Sequence, residues 1–415
     1  MSATRPIASL VYAEITAPVV EAQVLPLLAA LRDRGERVDA LVFASPRRLF
    51  LPGEWVAHRR SIDILHAALG KAPAVLTHPP RAANFGRLGQ RLASTMAERN
   101  IADAFLICRQ PRAALVACAA RDALQQKGRA PLVVHDQRGI RPEEYLLSLG
   151  RDESELSADE TRMLETYRTQ ERDACQNADA VLCVSHAMAQ RVREMHGVPK
   201  ERVLRLANHA GVVDDAERLR SETRKKLRID DDTLLLAYSG TLAAWQLPEA
   251  TALFAAAVAT LQPGARLLMV TPDTAVAKAA AKAAGVKRPI IRSCTPDRTH
   301  EWVAAADYGL LLRADSEVNR VSCPVKFGEY LACGVRPVLT PTVGDQSQLC
   351  MDTGLGVVVS LSDAGDAARR LMVDLRNPFA RGAEARAKRR AWATANITPA
   401  RSAEKLVELL ASISA

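Results

Sequence analysis

The sequence predicts an α/β protein made of two successive parallel-sheet domains. Three observations carry this expectation. Short apolar runs alternate with amphipathic stretches of helical period along most of the chain, the pattern of strands joined by crossover helices. The alternation breaks once, around residues 213–232, where the chain reads DDAERLRSETRKKLRIDDD, and then restarts. The length, 415 residues, suits two ordinary domains and exceeds what one compact core usually holds. Two such domains imply a cleft between them, a common place for a ligand.

The elements follow in order. A first strand is expected at Ile7–Tyr12, then a helix from Pro18 to Arg34, opened by its proline and closed by Gly35. Strands follow near Val38–Phe43, Ala74–Thr77, Ala104–Cys108, Leu132–His135 and Ala180–Val184, with helices at 87–99, 112–126 and 160–177. After the charged break come strand Leu234–Tyr238, helix 247–261, strand Leu267–Val270, helix 274–284 and strand Pro289–Arg292. Helix 297–306, strand Tyr308–Leu312, helix 324–333, strand Pro337–Thr340 and a final helix 399–413 complete the series. The expected domains are 1–212 and 213–395, with 396–415 a terminal helix packing back on the first domain.

Composition narrows the function classes. Hydrophobic residues at 48% and charged residues at 25% exclude a disordered chain. Aromatics are only 4%, so the cores are built from Ala, Val and Leu. The formal charge is +9, and residues 1–140 carry 19 Lys and Arg against 11 Asp and Glu. A basic face suits nucleic acid, anionic lipid or phosphorylated substrates. Nucleic acid is disfavoured, because no recognition motif and no interleaved aromatics accompany the charge. A solvated Arg-rich surface accounts for the charge equally well. No run of about 18 apolar residues is present to span a membrane, and the apolar run after the N-terminus is too short for a secretory signal. The eight cysteines form no C-x-x-C pair. They read as reduced, buried small hydrophobes of a cytoplasmic protein.

The most informative stretch is Leu310–Asp345, LLLRADSEVNRVSCPVKFGEYLACGVRPVLTPTVGD. A buried strand leads to a polar loop, Arg313–Cys323; Pro324 starts a short helix with Ser322 or Cys323 at its cap, and Gly334 ends it. Loops at the carboxyl ends of parallel strands are where such sheets bind ligands, and free N–H groups at a helix start favour an anion. Lys326 and Glu329, three apart, share a helix face. They read either as a surface ion pair or as ligand-binding groups. The second reading is favoured because a lysine in the first turn opposes the helix dipole unless an anion sits there.

Within this stretch, CPVKFGEYLACGVRPVLT resembles the donor-binding signature of glycosyltransferase family 4, whose members are retaining enzymes of the two-domain GT-B fold. The wider segment, with Arg313, Asn319, Lys326 and VGD at 343–345, resembles a bacterial surface-polysaccharide subgroup. The resemblance extends to ADAVLCVSHAMAQRVREMHGVPKERVLRLANHAGVVD at the end of the first domain and to LLLAYSGTLAAWQLPEATALF at the start of the second. It also reaches the first βαβ unit. It implies two Rossmann-like domains facing a central cleft, with the donor nucleotide on the second. It places Glu329 on the donor ribose, and Gly240, Thr241, Arg313, Asn319, Ser322 and Lys326 about the diphosphate and sugar. Three departures stand out. The glutamate common eight positions before Glu329 is Val321; the glycine loop, Gly240 to Trp245, lacks the family's basic pair; and the Asn-Gly turn reads Asn208-His209.

Other loops are candidates for the remaining roles. In VVHDQRGIRPEE, His135, Asp136 and Arg138 are expected in the loop after a strand, as catalytic or acceptor-orienting groups; the alternative is an Asx-type turn with an Arg–Glu pair. Arg109, Glu14 and Thr16 are candidates for the acceptor side, and Ser293 and Cys294 for nucleobase contacts. Asp230–Asp232 precede a strand, at its amino end, which is the wrong end for a metal-diphosphate site. His58, His66 and His78 lack partners at zinc spacing. No cofactor or metal is expected.

The function implied is transfer of a sugar, with retention, from a nucleotide diphosphate sugar to a glycan or lipid-linked acceptor. The implied context is bacterial surface polysaccharide synthesis, with the enzyme cytoplasmic or peripheral on the inner membrane face. Two alternatives stay open: a nucleotide-sugar epimerase of the same architecture, and a catalytically silent subunit that binds nucleotide or a partner.

Overall fold

The computed structural model of the protein describes residues 5–11, 20–44, 52–77, 84–377 and 380–413, with the side chains of 52–58, 61 and 244 left aside. The chain divides into two compact units. The first runs to Ala207 and takes back the segment from Pro399; the second is Asn208–Thr398.

In the first unit the strands are β1 Ile7–Val11, β2 Val38–Ala44, β3 Ala74–Thr77, β4 Phe105–Arg109, β5 Leu132–Gln137, β6 Ala180–Cys183 and β7 Val203–Arg205. They form one sheet in the order β3-β2-β1-β4-β5-β6-β7, and every pair is parallel. In the second unit β8 Leu235–Ser239, β9 Arg266–Val270, β10 Ile290–Arg292, β11 Tyr308–Leu311, β12 Arg336–Leu339 and β13 Val357–Val358 lie in the order β10-β9-β8-β11-β12-β13. These pairs are parallel as well. Helices cover both faces of a parallel sheet, so its central strands are apolar on both sides; β1, β2, β8 and β11 are buried along their whole length.

Strand order reverses direction between β1 and β4 in one sheet and between β8 and β11 in the other. At such a switch point the loops leaving adjacent strands run to opposite faces and open a crevice at the carboxyl ends. In the second unit those loops begin at Gly240 and at Leu312.

The terminal helix, Pro399–Ser412, belongs to the first unit. Its Ala403, Leu406 and Leu410, spaced along one stripe, join the core that includes Leu27, Leu28 and Leu31 of helix Leu25–Asp33.

Most elements lie within two residues of their sequence-derived bounds, and the differences have local causes. Strand β5 continues to Gln137, two residues past the expected end. Asp136 is therefore a strand residue rather than a loop residue, and His135 lies inside the strand rather than at its end; the two pair in register with Arg109 and Cys108 of β4. The charged segment expected to be a junction holds a helix, Ala216–Leu227. Its Arg220 and Arg224 are buried and turn inward to Asp307. The helices Pro52–Leu69, Arg141–Leu149, His186–His196, Gly344–Thr353, Ala364–Leu375 and Ala383–Asn396, and the short strands β7 and β13, are additional to the expected set. Asp230–Asp232 form the turn before β8, where Arg224 and Arg381 donate to their backbone carbonyls. All eight cysteines are free thiols.

Candidate functional site

The site is assembled in the second unit, at the carboxyl ends of β8, β11 and β12. Strand β8 delivers Tyr238 and Ser239 and then turns at Gly240, whose φ is +106°. A Cβ at that position would lie 2.5 Å from Lys326 Cε and 2.8 Å from Lys326 Nζ. Only glycine lets the loop close over this lysine. The loop is pinned at its far side by Leu242 N–H, which donates to Asp273 Oδ2 at 2.7 Å.

Lys326 comes from helix Val325–Ala332, which starts after Pro324 without a side-chain cap; neither Ser322 nor Cys323 fills that role. Its ammonium donates to Gln246 Oε1 at 2.8 Å and to the Tyr238 hydroxyl at 3.0 Å, and stands 4.4 Å from the Tyr238 ring centroid. Burial, with the Arg313 guanidinium nearby, holds its pKa well below the ordinary lysine value. Glu329, one turn on, is not paired with it: no ion pair joins the two among the described residues. Burial pushes the Glu329 carboxyl up, against the pull of Lys326. The surface ion pair that spacing allowed is therefore not formed.

Arg313 follows β11. Its backbone is clasped by Thr340 at the end of β12, whose Oγ1 accepts from Arg313 N and donates to Arg313 O, both at 3.0 Å. Its Nη1 donates to Asn319 Oδ1 at 3.1 Å, while its buried Nε has no partner. Asn319 is wholly buried and braces the loop through Ala314 O and Ser316 Oγ. It therefore positions Arg313. The loop expected between Arg313 and Cys323 contains a helical turn, Glu317–Arg320, capped by Ser316. The Ser322 hydroxyl is taken up by that turn, donating to Asn319 O at 2.7 Å.

Arg313 and Lys326 thus bring two cations to one crevice with no carboxylate bonded to either, among the described residues. The amino end of the same sheet is the contrast. There the buried Asp307 sits 2.8 Å from Arg220, 3.4 Å from Arg381 and 3.6 Å from Arg224. Buried charge is ordinarily paired, and an unpaired cation pair at a strand-end crevice is an arrangement that an anion completes.

The other expected residues fall as follows. Thr241 is exposed, and its carbonyl receives the Tyr238 hydroxyl. Ser293 and Cys294 follow β10, the edge strand, with β9 between them and β8; Ser293 is exposed and Cys294 Sγ lies 3.8 Å from Thr299 Oγ1. In the first unit, Arg138 Nε donates to Asp136 Oδ1 at 2.6 Å, and Arg109 Nη1 approaches Asp136 Oδ2 at 4.0 Å. Burial lowers the Arg109 pKa to about 10, and Arg138 adds to that effect. His135 is fully buried and bonded to Gln137, and burial depresses its pKa. The Asx-type turn with an Arg–Glu pair is replaced by this Arg–Asp–Arg group at the strand ends. Arg109 ends β4, at the first unit's switch point. Glu14 and Thr16 lie outside the described residues, as does His78.

Tyr238, Gln246 and Tyr330 were not singled out by the sequence. Tyr330 accepts from Ser239 N at 3.3 Å and donates to Leu310 O at 3.1 Å, tying the helix to the ends of β8 and β11. The available signal was Tyr238 at the end of an apolar run, where a hydroxyl must find a partner. Among the described residues no group of three His, Cys, Asp or Glu is placed to hold a metal, and no helix is long and apolar enough to cross a membrane.

Residues 20–209 match the family described as "Glycosyl transferase 4-like domain". No curated protein sequence matches the chain. Among solved structures, a glycosyltransferase from Rickettsia africae ESF-5 aligns with a TM-score of 0.67 at 13% identity, covering 99% of each chain. Anabaena Alr3699/HepE in complex with UDP aligns at 0.66 and 13% identity, over 98% of this chain and 100% of that one. WaaG, a glycosyltransferase involved in lipopolysaccharide biosynthesis, aligns at 0.61 and 15% identity, over 96% and 99%. At these identities the likeness is one of fold: the two parallel-sheet units are those of GT-B proteins.

Proposed function

We propose, from the premise that residues 20–209 belong to the glycosyl transferase 4-like family within a GT-B fold, that this protein transfers a sugar from a nucleotide diphosphate sugar to a glycan or lipid-linked acceptor. The observation that carries the reading is the pair of carboxylate-free cations, Arg313 and Lys326, at the switch point of the second sheet, under the Gly240 loop. A related fold binds UDP in the Anabaena protein, which supports a nucleoside diphosphate as the anion that fits here.

On this reading the donor diphosphate lies against Lys326, Arg313 and the backbone of Gly240 and Thr241. As the glycosidic bond to the diphosphate breaks, negative charge grows on the departing phosphate oxygens, where these cations already stand; preorganised charge of this kind lowers the barrier to leaving-group departure. Glu329, which no side chain bonds among the described residues, takes the ribose hydroxyls. Ser293 and Cys294 edge the base. The acceptor is oriented from the first unit by Asp136 and His135, with Arg138 and Arg109 fixing the carboxylate. The acceptor proton passes to a positioned side chain or to the departing phosphate. Configuration is retained at the anomeric carbon. The basic first 140 residues draw the enzyme peripherally to an anionic membrane face, where lipid-linked acceptors of surface polysaccharide would be met; no metal takes part.

The test is donor consumption by the full chain over a panel of nucleotide sugars, with and without lipid-linked acceptors. Consumption that depends on acceptor, with a glycosylated product, is the expected result. Equal conversion of donor without acceptor would make the protein an epimerase, and donor binding without turnover would make it a silent binding subunit.

A further inference from the structure

The ammonium of Lys326 has three hydrogen-bond donors, and the partners that the fold provides are neutral. Gln246 Oε1 accepts one at 2.8 Å and the Tyr238 hydroxyl another at 3.0 Å. The Tyr238 hydroxyl also lies 3.1 Å from Gln246 Oε1, so the three groups close a triangle. Gln246 is buried, and it ends the short 3-10 turn, Ala244–Gln246, that follows the glycine loop. The loop itself carries no basic residue from Gly240 to Leu247.

An acidic residue in place of Gln246 would satisfy the ammonium equally well, and would neutralise it. The amide does something different. It accepts a hydrogen bond, so the half-buried ammonium is neither orphaned nor cancelled, and the cation keeps its full field for a ligand. Gly240, whose missing Cβ leaves room for Lys326 Cε and Nζ, puts that field directly beneath the loop backbone.

We propose that Gln246, with Tyr238, is a positioning residue for diphosphate recognition: its amide oxygen holds Lys326 charged and aligned under the Gly240 loop until the donor's diphosphate takes that ammonium over. The inference rests on the nucleotide-sugar reading given above and adds a residue whose contribution is to charge and aim, not to contact with the base or ribose. The charged and titratable groups that face Lys326 are Arg313, Glu329 and the Tyr238 hydroxyl.

The test compares wild type, Gln246→Leu and Gln246→Glu by calorimetry, with UDP, GDP and ADP and the matching nucleosides, across pH 6 to 9. Gln246→Leu removes the acceptor, so it should weaken diphosphate binding tenfold or more and move the fall of affinity with rising pH to lower pH. Gln246→Glu should weaken diphosphate binding at neutral pH by at least as much, with recovery as pH falls and the new carboxylate protonates. Nucleoside affinity should stay within twofold in both variants. Wild-type affinity and pH profile in both variants would overturn the inference, and so would equal losses for nucleoside and diphosphate, which mark a loop that has only lost its shape. A wild-type protein that binds none of the diphosphates would instead remove the nucleotide-sugar reading itself.

Discussion

Lys326 is protonated at an energetic disadvantage, because burial and Arg313 both oppose its charge. The pH consequences have a definite sign. Its pKa in the folded protein lies below that of an unfolded lysine, so between the two values the unfolded chain binds more protons, and the lysine's contribution to stability rises with pH in that window. A bound diphosphate reverses the preference, since it favours the charged form. Diphosphate affinity should therefore be full below the folded pKa and fall as pH rises through it. Thermal melts and diphosphate titrations of wild type and Lys326→Met, taken from pH 6 to 10, should show the two opposite slopes in wild type and flatten both in the variant. Parallel slopes in the two proteins would place the titration elsewhere.

Asp136 belongs to the same scale. Its carboxylate is held by Arg138 at 2.6 Å and faces Arg109, the arrangement on which the proposed acceptor-orienting role rests. Asp136→Asn and His135→Ala should lower transfer at saturating donor by about tenfold to ten-thousandfold, positioning lying at the low end and general base catalysis at the high end. Nucleotide affinity should change little, because the proposed nucleotide contacts lie in the other unit. Transfer at the parent rate in both folded variants would return this strand end to a structural role.

Among the elements, the turn after β8 is the most constrained. Gly240 combines φ of +106° with a Cβ position that Lys326 already occupies. Gly240→Ala should push the lysine out of line and weaken diphosphate binding by roughly 1–3 kcal/mol, the range expected for strained backbone at a functional turn. In the Lys326→Ala background the clash is gone, so the same substitution should weaken binding less; a double-mutant cycle reads the difference. Strict additivity would mean that the two residues do not meet. Gly344 marks a second such approach, where a Cβ would come 1.9 Å from Ser322 O.

At this scale the sequence was legible wherever period and punctuation agreed. The helix after Pro324 and its end at Gly334 were readable, as was the glycine turn after β8, because proline, glycine and apolar run all pointed one way. The apolar run of β5 gives way to His135, Asp136 and Gln137, and the strand's last two residues are polar, so the pattern stops short of its end, yet all three are buried. Their side-chain partners Gln137, Arg138 and Gly139 are local, but their burial depends on β4 and β6 on either side, which lie far away in sequence. The helix Ala216–Leu227 was hidden for the same reason. Its arginines look solvated in one dimension and are buried only because Asp307 stands 70 or more residues downstream to receive them. Gln246 was invisible to pattern reading, since an amide in a polar loop carries no period and its partner is 80 residues away.

For the whole molecule, two sheets with the same kind of switch point place Arg109 and Asp136 on one unit and Gly240, Arg313 and Lys326 on the other. The alternation of elements foretold both sheets, and the family match over residues 20–209 agrees with the resemblance read in the first unit. The central claim concerns the second unit: its crevice is a nucleoside diphosphate site. Calorimetry of the full chain with nucleoside diphosphates and their nucleosides, on wild type, Lys326→Ala and Glu329→Ala, tests it most directly. Lys326→Ala should weaken the diphosphate by about ten- to a hundredfold, as loss of hydrogen bonds to a charged group implies, and leave the nucleoside almost untouched. Glu329→Ala should weaken both ligands together, because both carry the ribose. Diphosphate affinity unchanged in both folded variants, or an equal loss of diphosphate and nucleoside on removing Lys326, would contradict the account.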